Sequence, residues 1–307
     1  MSRTSFRTAY DEALAQWPVP VEAVDVPTPY GVTRVNSCGP ADGSAPPLVL
    51  LPGGGATSTV WGACVAAGLG RDRRVHAVDL VGEPGLSVPA PGRAVRRVGD
   101  LTAWLDALLD GLGGGPVTLA GHSYGAWIAA HAAARRSERL DRLVLLDPTR
   151  VFAGLRPGYV LRALPMLVRP TPARIRSFLG WETGGAALDP AWTRLQEETA
   201  AFPTVRPVTG PRPDLAGLGG LPVEVLFAGR ARCHDPRRAA AAARRALPGA
   251  RVDVLAGVSH HALPLTAPEE IALRLTVAHG ANGANVANTR GVRAARAVRN
   301  RSASGPS

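Results

Sequence analysis

The sequence predicts an α/β fold: a mostly parallel sheet flanked by helices, with a helical cap insertion. Three observations predict it. Short apolar runs bounded by Gly, Pro or Asp recur at 48–51, 75–80, 116–120, 140–146 and 222–228, each brief and continuous enough to be a strand buried on both faces. Helical patterns separate several of these runs, and strands alternating with helices imply a parallel sheet covered on both sides. From about 149 to 220 the strand signals stop, and Pro/Arg-rich segments with helical stretches replace them, as expected of a cap inserted between two buried strands.

Taken in order, Ser5 to Gln16 reads as a short helix, followed by strands at Val21–Val26 and Val32–Asn36 that open the sheet antiparallel around the turn Thr28-Pro29-Tyr30-Gly31. A Gly/Pro-rich loop leads into Leu48-Val49-Leu50-Leu51, which ends at Pro52-Gly53-Gly54-Gly55. The strand Val75–Leu80 runs into a second turn, Val81 to Gly85. Val98, Leu101, Leu105, Leu108 and Leu112 recur at three- and four-residue steps and mark an amphipathic helix. Within the insertion, helical stretches are expected at Val160–Val168, Ala173–Leu179 and Ala191–Ala201, with Leu161, Leu164, Leu167, Trp181 and Trp192 packing the cap and some of them lining an apolar pocket. After it come a helix at Pro236–Leu247, a last strand at Val252–Leu255 and a closing helix at Pro268–Val277.

The chain is organised around Val117 to Ala126. An apolar run breaks at Gly121-His122-Ser123-Tyr124-Gly125 and gives way to an Ala-rich helical stretch, so the pattern is strand, sharp turn, helix. That is the setting a G-x-S-x-G nucleophile elbow requires, because only small residues on either side of the serine let strand and helix pass close together.

Composition excludes several classes. No run reaches the ~18 apolar residues of a membrane span, and the first thirty residues lack the apolar core of a secretory signal. The three cysteines are odd in number and scattered, which indicates neither a disulfide framework nor a metal cluster. A soluble, cytoplasmic protein is expected. The net charge of +11 does not make a nucleic-acid binder: every basic residue is Arg, and basic and acidic residues are interspersed outside the last eighteen, where Arg290, Arg293, Arg296, Arg299 and Arg301 cluster. Phosphate binding by the three glycines is excluded by the missing Lys and Ser/Thr of a P-loop.

In this order the motifs resemble the α/β-hydrolase superfamily, over residues 20–278. They are Leu-Leu-Pro-Gly-Gly-Gly (50–55), Asp-Leu-Val-Gly-Glu-Pro-Gly-Leu-Ser (79–87), the Gly-His-Ser-Tyr-Gly elbow, Gly257-Val258-Ser259-His260 and Ala267-Pro268-Glu269-Glu270. The chain looks like the capped, serine-nucleophile, esterase-like branch. The resemblance implies a hydrolase domain at 20–278 with its cap at about 149–220, preceded by an N-terminal extension (1–19) and followed by a disordered basic tail (279–307). It also implies cleavage of an ester, lactone or thioester of an apolar acid, with no cofactor and no metal. A catalytically silent fold that binds a small molecule is the alternative. Dehalogenase and epoxide-hydrolase chemistry would need a carboxylate where Ser123 stands.

The same resemblance assigns roles. Ser123 would be the nucleophile and His260 the general base, with His261 and His122 as packing or turn-shaping neighbours. The oxyanion would bind the N–H groups of Tyr124 and Gly54, with Gly55 as reserve donor; Pro52 departs from the histidine usual in that loop. The acid has two candidates. The usual slot, three residues after Gly229, holds Arg232, and Asp235 follows it directly before Pro236, the pattern of a helix N-cap. Asp147, at the end of the strand after the elbow helix, occupies the alternative position used by some members. Cys233 reads as a quiet, partly buried thiol.

Overall fold

A computed structural model describes residues 3–202 and 207–276. The strands are β1 (Glu22–Thr28), β2 (Gly31–Cys38), β3 (Leu48–Leu51), β4 (Val75–Val78), β5 (Val88–Pro89), β6 (Val117–His122), β7 (Leu140–Leu146), β8 (Val223–Ala228) and β9 (Arg251–Leu255). They form one sheet in the order β1-β2-β4-β3-β6-β7-β8-β9, with β5 added to β2. The pairings among β1, β2, β4 and β5 are antiparallel, and the rest are parallel.

Ten α-helices surround it: α1 (Arg3–Leu14), α2 (Gly62–Ala66), α3 (Val98–Gly111), α4 (Tyr124–Arg135), α5 (Pro157–Val168), α6 (Pro172–Thr183), α7 (Pro190–Glu198), α8 (Pro236–Ala246), α9 (Leu263–Thr266) and α10 (Pro268–Thr276) among the described residues. Strands β3, β4, β6 and β8 are buried on every residue because both faces are covered. One face packs Trp104, Leu105 and Leu108 of α3 and Trp127 of α4. The other packs Cys64 and Val65 of α2, Leu263 of α9, and Ile271 and Leu275 of α10.

Pro157, Pro172 and Pro190 start the helices of the insertion, while Pro165 lies inside α5. Thr171 caps α6 by accepting from the Arg174 N–H, Asp189 caps α7 by accepting from the Trp192 N–H, and Pro172 and Pro190 follow at the first helical position. Gly184 ends α6 at φ 67, a left-handed conformation that favours glycine.

Two findings bear on the expected elements. First, the helix expected at Ser5–Gln16 forms as α1 and packs inward: Phe6, Ala9, Tyr10 and Ala13 are buried, and Phe6 meets Phe202 edge-on at 4.4 Å. The Tyr10 hydroxyl donates to Asp79 at 3.0 Å, while Asp79 also accepts from the N–H groups of Ser58 and Leu86, tying α1 to the turn after β4. Secondly, Leu161 and Leu164 do not pack the cap, being 71% and 46% exposed. The short elements α2, β5 and α9 are additional to those the sequence pattern marks. The basic tail expected at 279–307 lies outside the described residues.

Candidate active site

Register places the site. In the β6–β7 pairing His122 is opposite Leu146, so the next residues, Ser123 and Asp147, leave two adjacent parallel strands side by side. β3 pairs with the other edge of β6, Leu51 opposite Gly121, which brings the Gly53–Gly55 loop to the same sheet edge. The elbow is as tight as its glycines require. A Cβ on Gly121 would lie 2.4 Å from the Gly125 backbone, and one on Gly125 would lie 2.4 Å from the Pro52 carbonyl. Ser123 itself sits at φ 54, a strained conformation for a residue with a side chain, and its N–H donates to the Leu146 carbonyl at 3.0 Å.

A hydrogen-bond chain runs inward from Ser123. Its Oγ is 2.8 Å from His260 Nε2, and His260 Nδ1 is 2.6 Å from Asp147 Oδ2. Asp147 is fully buried at φ 43; its Oδ1 accepts from the Ala228 N–H at 3.1 Å and lies 3.0 Å from His234 Nε2. Burial pushes this carboxyl up, but the hydrogen bonds from His234 and His260 outweigh that and hold it well below the usual carboxylate range. An ionised carboxylate only accepts, so both histidines turn N–H groups toward it. His260 is thereby left with Nε2 as acceptor toward Ser123. His234 likewise has Nδ1 free to accept from the Cys233 thiol at 3.5 Å. Burial pushes that thiol far above its ordinary range, so it stays protonated.

Further groups hold the histidine loop. Glu182, at the end of α6, is buried and accepts from the N–H groups of His260 and His261, both at 3.1 Å. Its carboxylate also lies 3.4 Å from His261 Nδ1, an ion-pair distance without hydrogen-bond alignment. Burial raises the Glu182 carboxyl, yet the His261 and His260 contacts prevail and bring it down to about 2. His122 Nε2 donates to the His260 carbonyl at 3.0 Å, and burial pushes this ring down to about 3, keeping it neutral.

On the opposite side of Ser123, a Cβ on Gly54 would lie 3.6 Å from Tyr124 Cβ, so the two residues flank one space. Among the described residues neither of their backbone N–H groups has a protein acceptor. Tyr124 also opens α4, whose N-terminal dipole favours negative charge there. Gly55 is different and corrects the reserve-donor expectation: its N–H donates to Glu83 Oε2 at 2.9 Å. Burial pushes that carboxyl up to about 6 against the Gly55 bond. These groups open into a cavity of about 380 Å³ walled by Leu155, Tyr159, Ala163, Leu167, Phe178 and Trp192.

Residues 48–274 match the family model described as the alpha/beta hydrolase family. The chain belongs to that family. Among curated hydrolases of the family it is 34% identical to Carboxylesterase YbfK of Bacillus subtilis (strain 168), over 58% of each chain. It is 31% identical to a second carboxylesterase of that organism, nap, over 56% of this chain and 55% of the relative. The matched segments thus span little more than half the length of these relatives. Among solved structures, the Bacillus subtilis carboxylesterase CesB (YbfK) superposes with a TM-score of 0.80 at 26% identity, covering 89% of this chain and 96% of the other. The naproxen esterase (carboxylesterase NP) of the same organism reaches 0.80 at 23% identity, covering 90% and 99%, and supports the fold.

Within this hydrolase fold, Ser123, His260 and Asp147 come together and Asp235 does not. The Asp235 side chain accepts from the N–H groups of Arg237 and Arg238, both at 3.1 Å, and so caps α8. Arg232, in the usual acid slot, stacks its guanidinium 4.7 Å over the Trp181 ring. Asp147, Cys233 and His260 offer donor atoms within 4.8 Å of one another. The carboxylate oxygens are already committed to two histidine N–H groups and an amide, a set that accounts for the cluster without an ion.

Three groups of this site lie outside the sequence reading: His234 as a partner of Asp147, Glu182 and Glu83. Glu182 carries a faint signal, being the first acid after Asp147, with six Arg and no acid between the two. Glu182→Gln should flatten the acid limb of stability. The folded pKa lies below the ordinary 4.5, so its contribution is present above pH 4.5 and lost as pH falls toward about 2. The gap corresponds to roughly 3 kcal/mol. Thermal unfolding between pH 2 and 6 checks this: the variant should melt lower at pH 6 and converge with the wild type near pH 2, and parallel curves would contradict it.

Proposed function

We propose that the chain is a serine hydrolase that cleaves esters, thioesters or lactones of apolar acids through an acyl-enzyme. The observation that carries this reading is the continuous hydrogen-bond chain from Ser123 Oγ through His260 to a buried, ionised Asp147, at the floor of an apolar cavity. Ser123 Oγ attacks the carbonyl carbon while His260 Nε2 takes its proton, and the imidazolium is stabilised by Asp147. The developing oxyanion would be taken by the Gly54 and Tyr124 N–H groups, which belong to neighbouring residues beside Ser123 and have no protein acceptor among the described residues. His260 returns the proton to the leaving alcohol or thiol, and water repeats the sequence to release the acid. The carboxylesterase relatives support this class of chemistry.

Substrate choice follows from the walls. Leu155, Ala163, Leu167 and Phe178 give an acyl chain apolar contacts, and the two charged side chains on the lining, Glu83 and Arg150, are of opposite sign and leave no net counter-charge for an anion. Each methylene moved from water into such a pocket contributes about 0.8 kcal/mol, roughly four-fold in kcat/KM. Across p-nitrophenyl acetate, butyrate and hexanoate, kcat/KM should therefore climb by about ten-fold or more per two carbons until the cavity is full. A hemisuccinate ester should be the poorest of the set, and a preference for it over butyrate would contradict the assignment of an apolar acyl pocket.

A further inference from the structure

The cap carries a surface that, Leu167 apart, does not line the cavity. Of the large hydrophobic side chains exposed among the described residues, half belong to the twelve residues of α5: Val160 (41%), Leu161 (71%), Leu164 (46%), Leu167 (50%) and Val168 (67%). At helical spacing Leu161, Leu164 and Val168 fall on one stripe, with Val160 and Leu167 along one border. Tyr159, Ala163 and Met166 point the other way, into the cavity wall. A stripe of this kind on a surface helix is costly in water unless something covers it.

The charges around the stripe say what covers it. Between Asp147 and Glu182 the chain has six Arg and no acid. Arg162 and Arg169, seven residues apart, run along the other border of the stripe and are exposed. Arg174 donates to the carbonyls of Pro165 and Arg169 and so puts a third guanidinium at the C-terminal end of α5. Among the described residues, Arg162, Arg169 and Arg174 form no ion pair with a carboxylate. An apolar stripe edged by uncompensated guanidinium groups is complementary to an anionic phospholipid surface, where acyl chains take the stripe and headgroup phosphates take the arginines. A second copy of the cap would set like charge against like. The chain's own basic tail, with five Arg and no acid in its last eighteen residues, has the same defect.

We propose that α5 is a docking face for anionic phospholipid bilayers, which seats the cap in the interface with the cavity wall directly behind it. This goes beyond the hydrolase reading and does not depend on it, because its test reads binding and not turnover. The full-length protein is co-sedimented with vesicles of equal parts phosphatidylglycerol and phosphatidylcholine, and with phosphatidylcholine alone, at low and high salt. Binding is expected to the anionic vesicles, weakened by salt, and at least about ten-fold weaker to the neutral ones. Leu161→Gln/Leu164→Gln/Val168→Gln should lower affinity for the anionic vesicles by at least about ten-fold. Arg162→Gln/Arg169→Gln should lower it by about five-fold per arginine and flatten the salt dependence. Leu161→Gln alone, at the most exposed position, supplies the same test with weaker effect if the triple variant melts early. Absence of binding by the wild type would overturn the proposal. Unchanged binding by the leucine variants would assign the affinity to another basic segment and overturn it equally. So would leucine variants whose only change is the loss of a self-associated species in sedimentation velocity.

Discussion

Asp147→Asn is expected to lower kcat by about ten-thousand-fold, the loss typical of a triad acid replaced by its amide. The reason lies in the donors that converge on it. Asp147 accepts from His260 Nδ1, His234 Nε2 and the Ala228 N–H, and an asparagine offers one oxygen and an NH2 group in place of two acceptor oxygens. One histidine must then face an N–H with an N–H or switch tautomer. If His260 switches, Nε2 carries the proton and Ser123 loses its base. Asp235→Asn leaves the α8 cap largely in place and should cost about 1 kcal/mol or less of stability, with kcat within about three-fold of wild type. Steady-state kinetics with a p-nitrophenyl ester on both variants decides between the two aspartates. Severe loss in Asp235→Asn with activity retained in Asp147→Asn would move the acid to the loop after β8.

The second large effect is expected from Ser123→Ala, which should reduce turnover by about a million-fold while the fold persists. The Ser123 backbone N–H keeps its bond to the Leu146 carbonyl, and the only side-chain hydrogen bond removed is the one to His260. Circular dichroism and melting temperature should match the wild type within a few degrees. A folded Ser123→Ala protein that still turns over p-nitrophenyl esters would remove the nucleophile from the account.

How much of this was legible in the sequence depends on the range of the interaction. Ser123 could be read because the elbow is a local steric fact: Gly121 and Gly125 are small since each lies against backbone, and the neighbouring strand and helix patterns say so. The parallel order of strands was visible in the alternation of buried apolar runs with amphipathic helices. The acid could not be settled in the same way, because Asp147 and Asp235 each end a segment before a proline, and only sheet register puts the first beside Ser123. Glu182 reaches His260 from 78 positions away, out of a cap whose folding over the sheet leaves no local pattern. Glu83 takes the Gly55 N–H through a turn-to-turn contact that motif spacing does not encode. Helical periodicity also fails to say what a helix meets, so Leu161 and Leu164 read as cap packing when they face outward. The elements α2 and α9, at five and four residues, are too short to show a period.

Activation of the Ser123 nucleophile by His260 and Asp147 is tested most directly by treating the protein with a fluorophosphonate probe and mapping the adduct by peptide mass spectrometry. A single phosphonylated peptide bearing Ser123 is expected, with no adduct in Ser123→Ala and strongly slowed labelling in Asp147→Asn. A folded wild-type protein that does not react, or one that is labelled at another residue, would contradict it.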